Sequence, residues 1–205
     1  MRKIILHLCA DVGSDTKPYA DSLEYEVIYI GKEIGVENYQ PPKNIYGIIA
    51  NPPCTEFSTV RTGGKAREND EGVFVLNHCL RIIKECNPVF WVIENPATGS
   101  MKKILGPPSL IYQPWQYGSP WLKKTALWGN FKIPLPIYKK WGQVPKNEKL
   151  YIRPGLKKPS LVVLHKSAIK DIAEFSCFES LIDNDMHFRS LCSQGFANQF
   201  FKANK

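Results

Sequence analysis

The stretch "YGIIANPPC", residues 46–54, decides how the rest of the chain is read. "YGIIA" (46–50) is a near-continuous apolar run, as in strands buried on both faces of a parallel sheet. Pro52 and Pro53 hold φ near −65° and donate no backbone hydrogen bond. They end the strand and carry Cys54 on a stiff stalk. Three more runs have the same character: "KIILHL" (3–8), "YEVIYI" (25–30) and "VFWVI" (89–93). Before the last of these lies "GVFVLNHCLRIIKECNP" (72–88), in which Val73, Leu76, Leu80 and Ile83, with Cys79 or Phe74, share one helical face. Asn87-Pro88 stops that helix. Strand, helix, strand in this order implies a right-handed crossover. Residues 1–130 therefore read as a doubly wound, mostly parallel α/β sheet with helices on both faces.

Ligands of such sheets bind outside the carboxyl ends of the strands. Three stretches fall there: "CADVGSD" (9–15), "NPPCTEFS" (51–58) and "ENPATG" (94–99). Beyond residue 130 the composition changes. Residues 131–170 hold ten lysines and arginines against one acid, Glu148, so they carry +9 of a net charge of +8. A near-neutral body with one basic segment suits contact with a polyphosphate. Tyr138, Trp141 and Tyr151, among five prolines, could present flat rings and cations to nucleic acid. A solvated lysine-rich loop is the plainer alternative. The end, "SQGFANQFFKANK" (193–205), reads as a short helix with Phe196 and Phe200 or Phe201 turned inward. The expected organisation is a catalytic α/β domain (1–130), a small basic region (131–188) and a C-terminal helix region (189–205) packing back on the first.

With 205 residues, 43% hydrophobic and 22% charged, the chain suits one well-packed soluble domain. No apolar run approaches the roughly 20 residues that cross a bilayer. Six cysteines without a C-x-x-C pair suggest neither a zinc site nor a disulfide framework, so no metal and a reduced, cytoplasmic setting are expected. Cys9, Cys79 and Cys86 fall in strand or helix patterns as core residues, and His7 and His78 read as packed or helix-face histidines. Arg61 and the "TGGKARENDEG" loop (62–72) read equally as a substrate-closing loop or a plain exposed one.

A cysteine and a glutamate at the ends of neighbouring strands make a specific chemical pair. The thiolate is an intrinsically strong nucleophile, and nearby cations raise its fraction. A carboxyl in a partly dry site keeps its proton and can act as an acid. "PPCTEFS" followed by "VIENP" resembles the paired catalytic motifs of the DNA (cytosine-5) methyltransferases. "YGSPWLKKTALWGNF" (117–131) resembles the next motif of their small phage and bacterial members, and "GFANQFFKAN" (195–204) their closing helix. The resemblance implies a Rossmann-like fold that binds S-adenosylmethionine, a monomer acting on double-stranded DNA, and a host cytoplasm if phage-borne. Cys54 would attack carbon 6 of a flipped cytosine, and Glu94 would contact ring nitrogen 3 and the exocyclic amine. Asn95 would hold the Glu94 loop, and Lys123 or Lys124 would lie beside the base. Carbon 5 would take the methyl group, after which its proton leaves and Cys54 is expelled.

For the cofactor, the resemblance implies Leu8, Cys9, Asp11, Gly13, Ser14, Glu33, Glu37, Asn51 and Pro52. Here the sequence departs from the family. Cys9 and Asp11 stand where an aromatic and the first glycine are usual, and Gly31 stands where an acid ends the second strand. Either Glu33 and Glu37 substitute for that acid, or the site holds something else or nothing. Two further readings stay open. One is a related Cys/Glu enzyme with another donor, or with RNA or a nucleotide as substrate. The other is a catalytically silent nucleic-acid-binding descendant. The small basic region implies short or loose sequence preference and binding that weakens steeply with salt.

Overall fold

The computed structural model describes residues 1–57 and 70–205. Arg61 and residues 62–69 of the adjoining loop lie outside the described residues. The chain divides into two compact units. The first comprises Met1–Ala10, Tyr19–Ile111 and Thr125–Phe131; the second comprises Asp11–Pro18, Tyr112–Lys124 and Lys132–Lys205.

A six-stranded sheet contains β1 (Lys3–Leu8), β2 (Tyr25–Ile30), β3 (Ile45–Ala50), β4 (Phe90–Pro96), β5 (Leu110–Tyr112) and β6 (Thr125–Asn130). Its order is β2-β1-β3-β4-β6-β5. The four strands read from the sequence pair in parallel, β1 with β2 and β3, and β3 with β4. The chain winds to one side of β1 for β2 and to the other for β3, so the switch point lies at the ends of β1 and β3. β6 then pairs antiparallel with β4. That pairing extends β4 through Glu94, Asn95 and Pro96, which places Glu94 in the strand and not in a following loop.

The expected helices are sparser than the periodicity suggested. α1 (Lys17–Ala20) is one turn, and no helix joins β2 to β3. The remaining helices of this unit are α2 (Cys54–Phe57), α3 (Asp70–Cys86) and α4 (Lys102–Leu105). Among the described residues only α3 is a full crossover helix, and it buries Leu76, Cys79, Ile82 and Ile83 against β-strand side chains such as Leu6, Ile48 and Ile93. Burying side chains of this size contributes about 1.5–3 kcal/mol each. Cys79, not the exposed Phe74, completes the apolar face. Asn87, with φ of +44°, turns the chain out of the helix ahead of Pro88.

The second unit is built differently. Its core gathers Trp121, Leu150, Leu161, Leu164, Ile169, Ile172, Phe175, Phe178, Phe188 and Leu191. Short 3-10 turns connect these residues, with α5 (Asp185–Ser190) and α6 (Gln194–Ala203). Residues 114–117 form a 3-10 turn headed by Pro114. Residues 11–18 and 112–124 cluster with 132–205. α6 packs inside this second unit: Phe196 stacks on Tyr112 at 3.8 Å, and a Cβ on Gly195 would stand 2.0 Å from the Tyr117 carbonyl. The close approach needs glycine.

Candidate functional site

The carboxyl ends of β1 to β4 are stitched together by hydrogen bonds. The Ala10 amide donates to Ile30 O at 3.0 Å and the Asn51 amide to Leu8 O at 3.0 Å. His7, buried in β1, meets the Asn51 side chain with 3.0 Å between Nε2 and Oδ1. Asn95 Nδ2 donates to Pro52 O at 2.9 Å. Each strand end is thus tied to its neighbour, which fixes the backbone from which the next residues project.

Cys54 opens α2 directly after Pro53 and is exposed. The turn it stands on is gripped at both ends by residues that follow Glu94. In front, Asn95 holds the Pro52 carbonyl. Behind, the Ser100 amide and hydroxyl both donate to Phe57 O, at 2.8 and 3.2 Å. Phe57 is buried in the core, and Gly99 lies so close that a Cβ would stand 3.0 Å from Phe57 O. A nucleophile held in this way loses little entropy on reaching its target. Glu94 is half-buried and pairs with Leu127 of β6. Asn95 is buried, and its Oδ1 meets no hydrogen-bond donor among the described residues. An acceptor left bare in this way invites a donor from a ligand.

The cofactor candidates divide between the units. Cys9 takes a left-handed backbone, φ +54°, just past β1, and its thiol turns to Cys79 of α3 with 3.7 Å between sulfurs. The Cys9 side chain is therefore packed against the core. The contact with Cys9, together with burial, pushes the Cys79 thiol well above its ordinary pKa, so it stays protonated. Gly31 ends β2 where a Cβ would sit 3.3 Å from Ala10 O, a tight position for any larger residue. Glu33 and Glu37 are both exposed on the following turn, and the Glu37 carboxylate lies over Gly35. Leu8 is buried, Asn51 half-buried and Pro52 buried at the edge already described.

Asp11, Gly13 and Ser14 fall in the second unit. Asp11 accepts from Ser190 Oγ at 2.6 Å and faces His187 at 3.9 Å. Ser14 Oγ accepts from the Cys192 amide at 2.9 Å, and Gly13 has φ of +73°. Lys123 is in this unit too. Its ammonium donates to Ser190 O (2.8 Å) and Leu191 O (3.1 Å), capping the end of α5, where a cation complements the free carbonyls. Lys124 is exposed.

Among the described residues no group of three or more His, Cys, Asp or Glu could hold a metal. No described helix is long and apolar enough to cross a membrane. His7 is buried, and His78 is half-buried on α3 beside Phe74, with 4.5 Å between rings. Sequence reasoning missed Ser100 as a partner of the Cys54 turn. Its only trace was the small pair Gly99-Ser100 closing the stretch after Glu94.

A mixed α/β chain with a rigidly held thiol and a carboxylate at adjoining strand ends defines the class of site. No family model matches the chain. It is similar to a protein of Frog virus 3 (isolate Goorha) described as a "Probable DNA (cytosine-5)-methyltransferase". The two are 28% identical over 108 residues, which cover 44% of this chain and 49% of the relative. The match thus spans about half the length of that curated relative. Among solved structures, one from E. coli described as a "putative DNA modification methyltransferase encoded within prophage" is 16% identical, with a TM-score of 0.42. It covers 78% of this chain and 53% of that one.

Proposed function

We propose that this protein is a DNA (cytosine-5) methyltransferase acting through Cys54 and Glu94, on a Rossmann-like framework. The observation that carries the reading is the double grip on the Cys54 turn, by Asn95 at Pro52 and by Ser100 at Phe57, from the segment that bears Glu94. Nucleophile and carboxylate then keep a fixed separation through the reaction. The Frog virus 3 likeness points the same way.

In this reading the cytosine is rotated out of the duplex, at a cost of a few kcal/mol. The Cys54 thiolate adds to carbon 6, and Glu94 holds the ring-nitrogen edge, so that charge accumulating on the ring is met by a proton or hydrogen bond. Carbon 5 thereby becomes nucleophilic. Once carbon 5 carries the methyl group, its proton passes to solvent water, and the electron pair re-forms the carbon 5–carbon 6 double bond and expels Cys54 as thiolate.

The methyl donor is S-adenosylmethionine, which supplies an electrophilic methyl group when bound. The strand ends fit such a nucleoside. Cys9 turns its thiol toward Cys79 and away from the strand end, where its left-handed backbone lies beside Asn51 at the end of the neighbouring strand. Glu33 and Glu37 are the acids available to its hydroxyls. On the second unit, exposed Lys124 supplies a DNA contact, and Lys123 beside it caps α5.

The test is transfer of labelled methyl from S-adenosylmethionine into duplex DNA, with 5-methylcytosine identified in the digest. Glu94→Gln is expected to lower kcat by about 10²-fold or more with little change in DNA affinity. Activity equal to wild type in that variant would overturn the assignment.

A further inference from the structure

We propose that the extended strap of residues 132–140, continued by the turn at Trp141, is the surface on which the second unit holds duplex DNA. Apolar side chains press on sugars and bases while lysines take the phosphates. For its partner this rests on the function proposed above; the surface itself follows from the strap.

The strap is pinned along its inner side. Lys132 exchanges two hydrogen bonds with the Asn204 amide group, Lys132 N to Oδ1 at 2.8 Å and Nδ2 to Lys132 O at 3.0 Å. Tyr117 OH donates to Pro134 O at 3.1 Å, and the amides of Ile137 and Tyr138 both donate to Gln116 O. The amides of Lys139 and Lys140 converge on Gln143 Oε1. Pro134 is buried, and the alternate residues are presented outward: Ile133 is 55% exposed, Leu135 79% and Ile137 51%. Single exposed apolar residues are ordinary. Three at alternate positions on a fixed segment form an uncovered face, and such a face marks an interaction site.

Charge names the occupant. No aspartate or glutamate occurs between Glu94 and Glu148, whereas Lys132, Lys139 and Lys140 flank the apolar residues and are exposed. The next turn fixes two more cations. Lys146 Nζ stands 4.3 Å from the Trp141 ring centroid and donates to Val144 O; Lys158 Nζ stands 4.8 Å from Trp141 and 5.9 Å from Trp115. Ammonium groups placed in advance lose less freedom on meeting phosphate. A surface that joins apolar contacts to fixed cations suits a nucleic-acid groove, where wedged side chains meet sugar and base. Pro134 and Pro136 lack amide donors, so the strap is a poor template for another strand and its partner touches side chains.

The experiment uses the full chain and a fluorescein-labelled duplex, followed by anisotropy across a salt series, with no methyl donor. Changing Ile133, Leu135 and Ile137 together to serine keeps every charge and, because all three are exposed, the melting temperature. The expected loss is at least about tenfold in affinity at fixed salt, as three apolar side chains stop being covered. The salt slope should stay unchanged. Lys139→Gln with Lys140→Gln should instead flatten the slope of log affinity against log salt by roughly two. Unaltered affinity in the triple variant would overturn the inference while leaving the proposed function standing. A change of sedimentation behaviour in that variant, with DNA binding intact, would assign the face to a second copy of the chain and also overturn it. Failure of the wild-type protein to bind any duplex would remove DNA as partner and take both readings with it.

Discussion

The two units solve the same problem of burial by different means. In the first, ladder hydrogen bonds satisfy the backbone, and Ile, Val and Leu fill the space between β1, β3, β4 and α3. In the second, where 3-10 turns replace regular ladders, side chains do much of that satisfying. Glu174 accepts from Ser119 Oγ at 2.7 Å and from the Gln194 amide at 2.7 Å. Ser119 Oγ lies 2.6 Å from Ser193 Oγ, and Asn147 donates to Asp171 O at 2.7 Å. Aromatic rings fill the core, Trp121 against Phe175 and Phe175 against Phe188. A regular framework can hold a reactive turn at its edge. An irregular one, held by individual polar contacts, can present an uncommon surface such as the strap.

The largest effect sharpens what the first unit is for. Cys54→Ala is expected to lower methyl transfer by on the order of 10⁴-fold or more, with the melting temperature unchanged because Cys54 is exposed. Methyl-transfer kinetics beside thermal melting check both halves. Next come two glycines that test whether the units are separable. A Cβ on Gly129 would stand 2.1 Å from Trp91 O, and Gly129 has φ of +145°. Gly129→Ala should cost more than about 2 kcal/mol and raise amide exchange in residues 1–10 and 19–111. Gly195→Ala, against Tyr117 O, should raise exchange in residues 132–205 instead. Equal rises throughout the chain in either variant would contradict two units.

A smaller loss is expected from Asn95→Ala. Removing its bond to Pro52 O frees the front of the Cys54 turn, costs about 1–3 kcal/mol and lowers kcat more than it alters KM. The smallest effect is a pH dependence seated in the second unit. Burial raises the Glu174 carboxyl above its ordinary 4.5, against the hydrogen bonds from Ser119, Gln194 and Gly195 that pull it down. The folded chain therefore binds this proton more tightly than the unfolded one. The associated stability is present below about pH 4.5 and is lost as pH rises through the raised value. Glu174→Gln should flatten the melting temperature across that window; an unchanged slope would assign the dependence to other groups.

The parts legible in the sequence were those with a short period. The runs at 3–8, 25–30 and 46–50 became β1, β2 and β3 within a residue, because continuous Ile and Val admit little else. α3 was legible from the spacing of Leu76, Cys79 and Ile83. β6 was not, since "TALWGN" carries no apolar period, and its antiparallel pairing is what draws Glu94 and Asn95 into β4. The proline-stiffened stalk of Cys54 could be read directly. Its second support, Ser100 on Phe57 O, depends on a tertiary contact across 43 residues that no local pattern announces. Lys123 read as a base contact by its position in a motif, yet its ammonium caps α5, a helix too short to anticipate.

The central claim is that Cys54 adds to carbon 6 of a cytosine. The most direct measurement is mass spectrometry of the protein incubated with S-adenosylmethionine and duplex DNA in which 5-fluorocytosine replaces cytosine. Fluorine cannot leave as the proton does, so the adduct persists. The account predicts a covalent protein–DNA species whose cross-linked peptide contains Cys54, absent in Cys54→Ala. No adduct in the wild-type protein, or one on another residue, would contradict it.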